Sequence, residues 1–491
     1  MERVLALDAG TTGVRAVVYG TDGSEVDSAY RELTQYFPSP GLVEHDANEI
    51  ARLAIEVLSE TAQRQRALGH RIVALGMTNQ RETTVAFDRA ASHVNDRALV
   101  WQDRRGAALC EQIRARGVEA NVRSITGLVL DPYFSATKMA WFIDHGALDA
   151  MALPSLSTID AFLIWTLSGG ADGGSFLSEP SNASRTMLFD LATLAWSSSM
   201  CELFNVPMTA LPDVRASAGR FATVSPNVIS ELANVPITGV LGDQQAALFG
   251  QACFATGMVK ATYGTGAFIL ANAGSTVPTP VPGLVSTVAW DLGAFGPVNY
   301  ALEGSAFVAG AAVQWLRDEL GIIEHASDLE ALALSVPDSG GVIFVPAFTG
   351  LGSPFWRAEA RGSLSGLSRA SQRGHIARAV HDALAFQVRA MTDAFLNAGV
   401  ELSELRADGG ASAMDSLLQL QATSSRLRVR RSASLEATAR GAATIAMLGA
   451  GVVDSLEEIG DRWQSTFEAQ PSDPLVADTN YAAWLRAVER S

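Results

Sequence analysis

Lysine is almost absent from this chain of 491 residues. Lys138 and Lys260 are the only two lysines among the 36 basic residues, so the other 34 are arginine. No glycine precedes either lysine, which excludes a phosphate-binding loop of the GxxxxGK[ST] type. Any chemistry that requires a lysine must use one of these two. We predict that Lys260 lies on a strand, and we assign it no catalytic role.

Several motifs that carry chemistry are also missing. The seven histidines form no HExxH motif, and the chain has neither a GxSxG nor a GxGxxG segment. These absences exclude the corresponding zinc-protease, hydrolase and dinucleotide-binding signatures. The three cysteines, Cys110, Cys201 and Cys253, lie far apart. They argue against a disulfide framework and fit a reducing compartment, so we expect a cytoplasmic protein.

Negative charge predominates, because 52 acidic residues face 36 basic ones and leave a net charge of −16. A field of this sign repels nucleic acid and anionic lipid, so we predict neither as the main partner. The stretch Ala261–Trp290 carries no charge over 30 residues, but it contains Pro278, Pro280 and Pro282. We therefore predict a buried hairpin followed by a loop, with no membrane insertion.

The order of predicted elements indicates an α/β protein with a duplicated start. The length predicts two domains, because one hydrophobic core rarely grows so large. Each half opens with two short apolar strands joined by a turn rich in glycine and threonine. We predict domains 1–249 and 250–491, joined near Phe249–Thr256 and facing each other. The predicted strands of the two hairpins are Val4–Leu7, Val14–Tyr19, Met258–Tyr263 and Ala267–Asn272.

Three glycine turns are candidates for binding phosphate. Asp8 precedes the turn Gly10–Gly13, and Arg15 follows it. Backbone N–H groups and hydroxyls of such a turn suit phosphate oxygens, and a carboxylate at the strand end suits a hydrated Mg²⁺. The related segments are Thr262–Gly266 and Asp408–Gly410. Each of them is equally compatible with a plain turn.

Polar side chains interrupt apolar patterns at three further places: Asn79–Glu82, Trp101–Arg105 and Gly242–Gln245. A carboxylate at the end of a buried strand is costly unless it is paired or used. A structural alternative exists for each place. Arg81–Glu82 is compatible with an ion pair, Trp101 with a core or edge aromatic, and Asp243 with a helix N-cap.

Taken together, these segments resemble the FGGY carbohydrate kinases over nearly the whole chain. The stretches NQRETT, LDPYFS and GDQQAALFGQ, in this order, are specific, and they point to members that phosphorylate glycerol rather than pentuloses. The resemblance implies two ribonuclease H-like (actin-like ATPase) domains with ATP, Mg²⁺ and the polyol in the cleft between them. It implies ATP-dependent phosphorylation of glycerol to sn-glycerol 3-phosphate, and a homo-oligomer, either a dimer or a tetramer.

The resemblance also assigns roles to particular positions. The general base is Asp243, and the carboxylate near Mg²⁺ is Asp8. The polyol-binding residues are Arg81, Glu82, Trp101, Tyr133, Asp243, Gln244 and Phe268. The ATP-binding residues are Thr11, Thr12, Gly13, Arg15, Thr265, Gly310, Gln314, Gly410 and Met414.

The chain departs from the family pattern in places. Met414 stands where the family usually has an asparagine that contacts the adenosine part of ATP, and Gly13 replaces a usual serine. The segment from Val224 to Ile237 looks shorter than in members with a fructose-bisphosphate regulatory loop. Two alternatives therefore stay open: a kinase for another small polyol or sugar, and a catalytically weak, actin-like nucleotide-binding regulator.

Overall fold

A computed structural model describes residues 1–91, 93–94, 97–434 and 436–491. The strands of the first half are β1 (Glu2–Ala9), β2 (Gly13–Gly20), β3 (Glu25–Glu32), β4 (Glu44–His45), β5 (Arg71–Asn79), β6 (Thr84–Asp88), β7 (His93–Val94), β8 (Ala98–Leu99), β9 (Pro154–Thr158), β10 (Leu177–Ser178), β11 (Phe189–Asp190), β12 (Ala195–Trp196), β13 (Asp213–Val214), β14 (Ala218–Thr223) and β15 (Pro236–Gly242). Those of the second half are β16 (Met258–Tyr263), β17 (Ala267–Gly274), β18 (Val285–Trp290), β19 (Asn299–Ala306), β20 (Ile343–Val345), β21 (Ser363–Ser365), β22 (Glu404–Asp408), β23 (Arg428–Ser432) and β24 (Ser465–Ala469).

Helices fill the connections between these strands. The α-helices are α1 (Ala47–Ala67), α2 (Ala107–Ala115), α3 (Glu119–Thr126), α4 (Ser135–Asp144), α5 (Ile159–Leu167), α6 (Pro180–Ala183), α7 (Ser198–Leu203), α8 (Asp243–Gly250), α9 (Gly310–Asp318), α10 (Asp328–Ala333), α11 (Arg373–Asn397), α12 (Asp415–Ser425), α13 (Ala437–Gly449), α14 (Leu456–Asp461) and α15 (Leu475–Val488). Short 3₁₀ turns lie between some of them. No helix in the described part of the chain has both the length and the apolar character needed to cross a bilayer.

Two large sheets repeat one topology. In the first, β1, β2 and β3 form an antiparallel meander, β5 and β15 follow in parallel, and β14 closes the edge antiparallel. In the second, β16, β17 and β19 form the meander, β22 and β23 follow in parallel, and β24 closes the edge. Strand β18 adds one position beyond β19. The duplicated α/β architecture predicted from the two hairpins is confirmed.

Strand β1 shows why the central strands of the sheets are continuous apolar runs in the sequence. Its Leu5 and Leu7 pack into the same core as Ile50 of α1. The alternate residues, Val4 and Ala6, pack into a different core that contains residues of α13. Because helices cover both faces of the sheet, both sets of side chains are buried and strict alternation is lost.

Helices α8 and α13 lie between the two sheets and join the halves. Helix α13, late in the chain, packs on β15, β5 and β1 of the first sheet, and α8 contacts β16 and β17 of the second. Glycines permit α13 to approach β5 and α8 closely. A Cβ at Gly76 would overlap the carbonyl oxygen of Ala442, and a Cβ at Gly441 would overlap that of Ala246. The ends of β1, β5, β15, β16 and β22 therefore face a region shared by both halves.

Some element boundaries differ from the prediction. The helix expected over Phe307–Leu320 starts only at Gly310, because the N–H groups of Ala309 and Gly310 bind the carbonyls of Thr265 and Gly264. The strand expected over Gly341–Phe348 is limited to Ile343–Val345, because a tight turn binds the Ala347 N–H to the Val345 carbonyl. The uncharged stretch 261–290 forms the predicted hairpin and loop, and then β18.

Candidate active site

Arg81 is the centre of a buried polar network that crosses from the first half to the second. It follows β5, and its two terminal nitrogens bind both carboxylate oxygens of Glu303 on β19, at 2.6 and 3.0 Å. One of these nitrogens also donates to the Gln245 side chain at 3.1 Å. The Arg81 Nε lies 3.1 Å from the Asp243 carboxylate. Arg81 thus links the end of one sheet to the middle of the other.

A second arginine completes a ring of charges. Arg185 donates from Nε to Glu82 at 2.6 Å and from Nη2 to Glu303 at 3.0 Å. Burial alone would raise the pKa of Glu303, but Arg185 and Arg81 outweigh burial and lower this pKa to about 2. Burial raises the pKa of Glu82 despite the two arginines. Glu82 has a left-handed backbone with φ of 59°, which turns its carboxylate towards Arg185.

The sequence analysis did not predict Arg185 and Glu303 as site residues. Both are charged residues that lie alone in otherwise uncharged segments, SNASRTML and NYALEGSA. An isolated charge in a buried strand requires a partner of opposite sign. That rule would have identified Glu303 as a residue that pairs with a buried cation. It would not have identified the arginine with which Glu303 pairs.

Two aromatic rings form one wall beside this network. The Trp101 indole N–H donates to the Thr11 hydroxyl at 3.0 Å, and the Trp101 and Tyr133 rings meet edge to face at 5.6 Å. The ammonium of Lys138 binds the carbonyls of Pro132 and Tyr133 at 2.6 and 2.8 Å and so fixes the loop that carries Tyr133. Trp101 thus connects the first glycine turn to the aromatic wall and is not a simple edge aromatic.

Asp243 lies where the network meets the open part of the site. It is the first residue of α8, whose N-cap is Gly242, so the alternative of a helix N-cap is wrong. Its carboxylate accepts the Gln244 N–H at 2.7 Å and is 29% exposed, whereas the Arg81 side chain is 2% exposed. Burial raises the pKa of Asp243, and Arg81 offsets only part of that effect. The group combines accessibility with an increased proton affinity.

The first glycine turn carries Thr11, Thr12 and Gly13; Asp8 is the last residue but one of β1, and Arg15 follows the turn on β2. The ring of Tyr30 lies where a Cβ at Gly13 would be, which accounts for glycine at this position. Arg15 forms an ion pair with Glu436, next to α13. Burial, then the charges of Asp243 and Glu436, raise the pKa of Asp8 to about 7. Asp8 and Asp243 therefore lie within electrostatic reach of one another.

The second glycine turn is tied to α9. The carbonyls of Gly264 and Thr265 accept N–H groups at the start of this helix, at Gly310 and Ala311. Thr265 is exposed, and so is Gln314, one helical turn after Gly310.

The third glycine turn lies directly against the second. A Cβ at Gly409 would overlap the Tyr263 carbonyl, so this turn lies close to the end of β16, whereas a Cβ at Gly410 would meet open space. The side chain of Met414, only 7% exposed, packs in the core of the second half.

The remaining predicted residues are joined through Lys260. Its ammonium binds the Gln244 side chain at 2.5 Å and lies 3.4 Å from the carbonyl of Phe268, which is half-buried on β17. The structure thus brings the predicted polyol residues into one connected network. The predicted nucleotide residues lie on or beside the three glycine turns and on α9, except for the Met414 side chain, which packs in the core.

A metal would depend mainly on Asp8. Among the described residues, no three histidine, cysteine or acidic side chains are arranged to hold an ion. Mg²⁺ commonly uses one or two protein carboxylates and takes its other ligands from water and phosphate. A buried carboxylate whose pKa is raised to about 7 by burial and neighbouring carboxylates would be stabilised by a dication. Asp8 therefore fits this mode of binding.

Comparison with known proteins agrees with this geometry. The model of the N-terminal domain of the FGGY family of carbohydrate kinases matches residues 3–250, and that of the C-terminal domain matches residues 259–450. The chain is 46% identical to a glycerol kinase of Halorhodospira halophila over 99% of its length and 96% of that protein. It is 48% identical to a glycerol kinase of Gloeobacter violaceus, with the same coverage.

Solved structures show the same fold. A Plasmodium falciparum glycerol kinase with ADP superimposes with a TM-score of 0.94 at 32% identity, covering 100% of this chain and 98% of that one. A gluconate kinase from Lactobacillus acidophilus superimposes with a TM-score of 0.90 at 20% identity, also covering 100% and 98%; this likeness concerns the fold alone. With both family models matched and these relatives aligned end to end, the chain belongs to the FGGY family of carbohydrate kinases.

Proposed function

We propose that this chain phosphorylates glycerol with ATP and releases sn-glycerol 3-phosphate. The observation that carries the proposal is the position of Asp243, a half-buried carboxylate held by Arg81 at the open edge of a polar network. The relatives named glycerol kinase, at 46–48% identity over almost the full chain, support glycerol as the substrate. A solved glycerol kinase with ADP supports the nucleotide.

The polyol end of the site matches a molecule with three hydroxyls and a short carbon chain. Arg81, Glu82, Asp243 and Gln244 supply donors and acceptors for the hydroxyls, while aromatic rings cover the carbons. Trp101 and Phe268 are the rings assigned to the carbons, and Tyr133, assigned to polyol binding, meets Trp101 edge to face. A site of this kind rejects analogues that leave its buried polar groups unpaired, by factors of roughly 10⁴ or more.

Asp243 acts in this proposal as the general base. It accepts the proton of the terminal hydroxyl while the oxygen attacks the γ-phosphorus of ATP, with the heavy atoms about 2.6–3.2 Å apart. Its raised pKa strengthens it as a proton acceptor. Arg81, within 3.1 Å, keeps the carboxylate ionised and oriented. Phosphoryl transfer then needs positioning and charge stabilisation rather than a covalent intermediate.

The glycine turns hold the nucleotide in this proposal. Thr11, Thr12, Gly13 and Arg15 face the phosphates from the domain of residues 1–249. Residues 250–491 contribute Thr265, Gly310, Gln314 and Gly410, whereas the side chain of Met414, the other residue assigned to ATP, packs in the core. Asp8 would hold Mg²⁺, and the ion would supply positive charge that stabilises the transferring phosphoryl group. Backbone amides and Mg²⁺ thus replace the lysine of a P-loop. We further propose a cytoplasmic homo-oligomer.

A coupled assay of ADP release tests the function. The chain is assayed with glycerol and with a panel of erythritol, ribitol, xylulose, gluconate and dihydroxyacetone, each with ATP and Mg²⁺. Glycerol is expected to give the highest kcat/KM, because dihydroxyacetone lacks the central hydroxyl and the longer compounds carry additional hydroxyls that lose water on binding. Preferred turnover of another polyol would replace glycerol as the substrate. ATP binding without turnover of any polyol would favour the actin-like regulator instead.

A further inference from the structure

One of the two lysines reaches from the second sheet into the polyol side of the site. Lys260 lies on β16, at the centre of that sheet, and is fully buried. Its ammonium donates to the Gln244 carboxamide oxygen at 2.5 Å and to the Thr262 hydroxyl at 3.0 Å. Gln244 belongs to α8, which continues from the last parallel strand of the first sheet. The bond therefore crosses between the halves.

Three carboxylates accompany this buried cation. Burial lowers the pKa of Lys260 to about 8, and Asp408, Glu303 and Asp243 oppose that shift. A buried ammonium without such partners is costly. Its partners come from three directions: Asp408 ends β22, Glu303 lies in the ring with Arg81, and Asp243 begins α8. The cation thus lies within electrostatic reach of both Glu303 and the proposed base.

The bond to Gln244 has a definite chemical consequence. A carboxamide carries one accepting oxygen and one donating NH₂ group. The oxygen keeps a second lone pair, but the ammonium bound to it holds the carboxamide in one orientation. The NH₂ group, on the opposite side of the carboxamide, is then the part of Gln244 that meets a substrate hydroxyl. Asp243 next to it is an acceptor. The pair at the start of α8 would then present one donor and one acceptor to neighbouring polyol oxygens.

We propose that Lys260 is a positioning residue for the polyol, which orients the Gln244 carboxamide so that its NH₂ group donates to a substrate hydroxyl. This proposal rests on the proposed function, since Gln244 is assigned there as a polyol contact. Lys260 itself touches neither substrate nor ATP. It acts through Gln244, and its removal leaves the amide free to rotate and to present the wrong atom.

A double-mutant cycle tests the connection. Steady-state kinetics are measured for Lys260→Met, Gln244→Ala and the double variant, with glycerol and ATP varied in turn. Each single change is expected to raise the KM for glycerol about 10- to 100-fold, because one bond to the polyol is lost or misdirected. The double variant is expected to match Gln244→Ala within about 2-fold, because coupled residues are not additive. The KM for ATP is expected to stay within about 3-fold.

Lys138 offers a matched control, because it is also a buried lysine. Its ammonium binds the backbone carbonyls around Tyr133 rather than Gln244. Lys138→Met combined with Gln244→Ala should therefore give multiplied effects on KM, as independent sites do. If the increases in glycerol KM caused by Lys260→Met and Gln244→Ala multiplied in the double variant, the proposal would be overturned. A Lys260→Met variant that raises the KM for ATP and leaves that for glycerol unchanged would overturn it too.

A second variant covers the case in which Lys260→Met does not fold. Gln244→Glu places a carboxylate where the ammonium can pair with it, so the melting temperature should stay within about 3 °C of the unaltered chain. Glycerol KM should nevertheless rise as much as in Gln244→Ala, because no donor remains. If Lys260 did not contact this side chain, the new carboxylate of Gln244→Glu would only repel Asp243, and the melting temperature would fall by much more. Such a fall would contradict the contact between Lys260 and Gln244. Absence of polyol turnover in the unaltered chain would overturn both the proposed function and the role of Lys260. Normal glycerol turnover, with independent effects of Lys260→Met and Gln244→Ala on KM, would overturn the role of Lys260 alone.

Discussion

Glu303 on β19 binds Arg81 through both carboxylate oxygens, at 2.6 and 3.0 Å, although 221 residues lie between them in sequence. The pair is buried, and Arg185 shares the same carboxylate at 3.0 Å. Two cations therefore share this one anion at the junction of the two sheets. The ion pair holds the arginine that in turn contacts the proposed base.

Glu303→Gln is expected to lower the free energy of unfolding by about 3–5 kcal/mol, because removing one partner of a buried ion pair leaves the others uncompensated. Chemical denaturation at pH 7 measures the loss. Glu202→Gln, an exposed position on α7, is the matched control and should change stability by less than about 0.5 kcal/mol. Equal stability of the two variants would contradict the structural role of the ring.

The same ring predicts an acid dependence of stability. The pKa of Glu303 is lowered from 4.5 to about 2 in the folded chain. A lowered pKa gives a stabilisation that is fully present above about pH 4.5 and is lost as the pH falls towards 2. Between pH 5 and pH 3, the unaltered chain should therefore lose more stability than Glu303→Gln does. A parallel loss in both would show that other carboxylates control acid unfolding.

Asp243→Asn is expected to reduce kcat at least about 10³-fold while glycerol still binds, because the amide keeps the shape of the carboxylate but cannot accept a proton. Calorimetric titration with glycerol measures the binding, and ADP release measures turnover. The unaltered chain should show an acid limb in kcat/KM above pH 3.8, since the pKa of Asp243 is raised from that value and its protonated form is inactive. Near-normal kcat in Asp243→Asn would exclude this residue as the base.

The duplicated hairpins, the α/β class and the family were all predictable from sequence, because each depends on local patterns. Strand β1 and its glycine turn both lie within the first 13 residues of the chain. The ring of charges was not predictable, because Arg81, Arg185 and Glu303 are brought together only when β5, α6 and β19 pack. Nothing local distinguishes Glu303 from a solvated glutamate except its apolar neighbours.

The role proposed for Lys260 could not be predicted from the sequence either. The strand was predicted correctly, and a strand position gave no reason to expect a role. The role follows from the neighbour that the fold supplies, Gln244, 16 residues away and on the other half. The start of α9 depended in the same way on bonds to a distant turn, at Gly264 and Thr265.

Glu436→Gln is expected to strengthen ATP binding about 2- to 5-fold at low salt, because ATP phosphates compete with this carboxylate for Arg15 and the pair is partly exposed. Fluorescence titration at 20 and 300 mM NaCl measures the effect, which should shrink at high salt as screening increases. Glu458→Gln, which breaks a comparable pair with Arg462, is the control and should leave affinity unchanged. Weaker ATP binding by Glu436→Gln would mean that Glu436 orients Arg15 for the phosphate.

Met414→Asn tests the departure from the family pattern at the nucleotide end of the site. The Met414 side chain is 7% exposed and packs with the core of the second half. An asparagine in that environment buries an amide and leaves a gap, so unfolding should cost about 1–3 kcal/mol less than in the unaltered chain. The KM for ATP should stay within about 3-fold, because the new side chain points into the same core. Met414→Leu, which conserves volume, should cost less than about 1.5 kcal/mol. An asparagine variant as stable as the leucine variant, with a lower KM for ATP than for GTP or CTP, would instead place the side chain at position 414 against the adenosine.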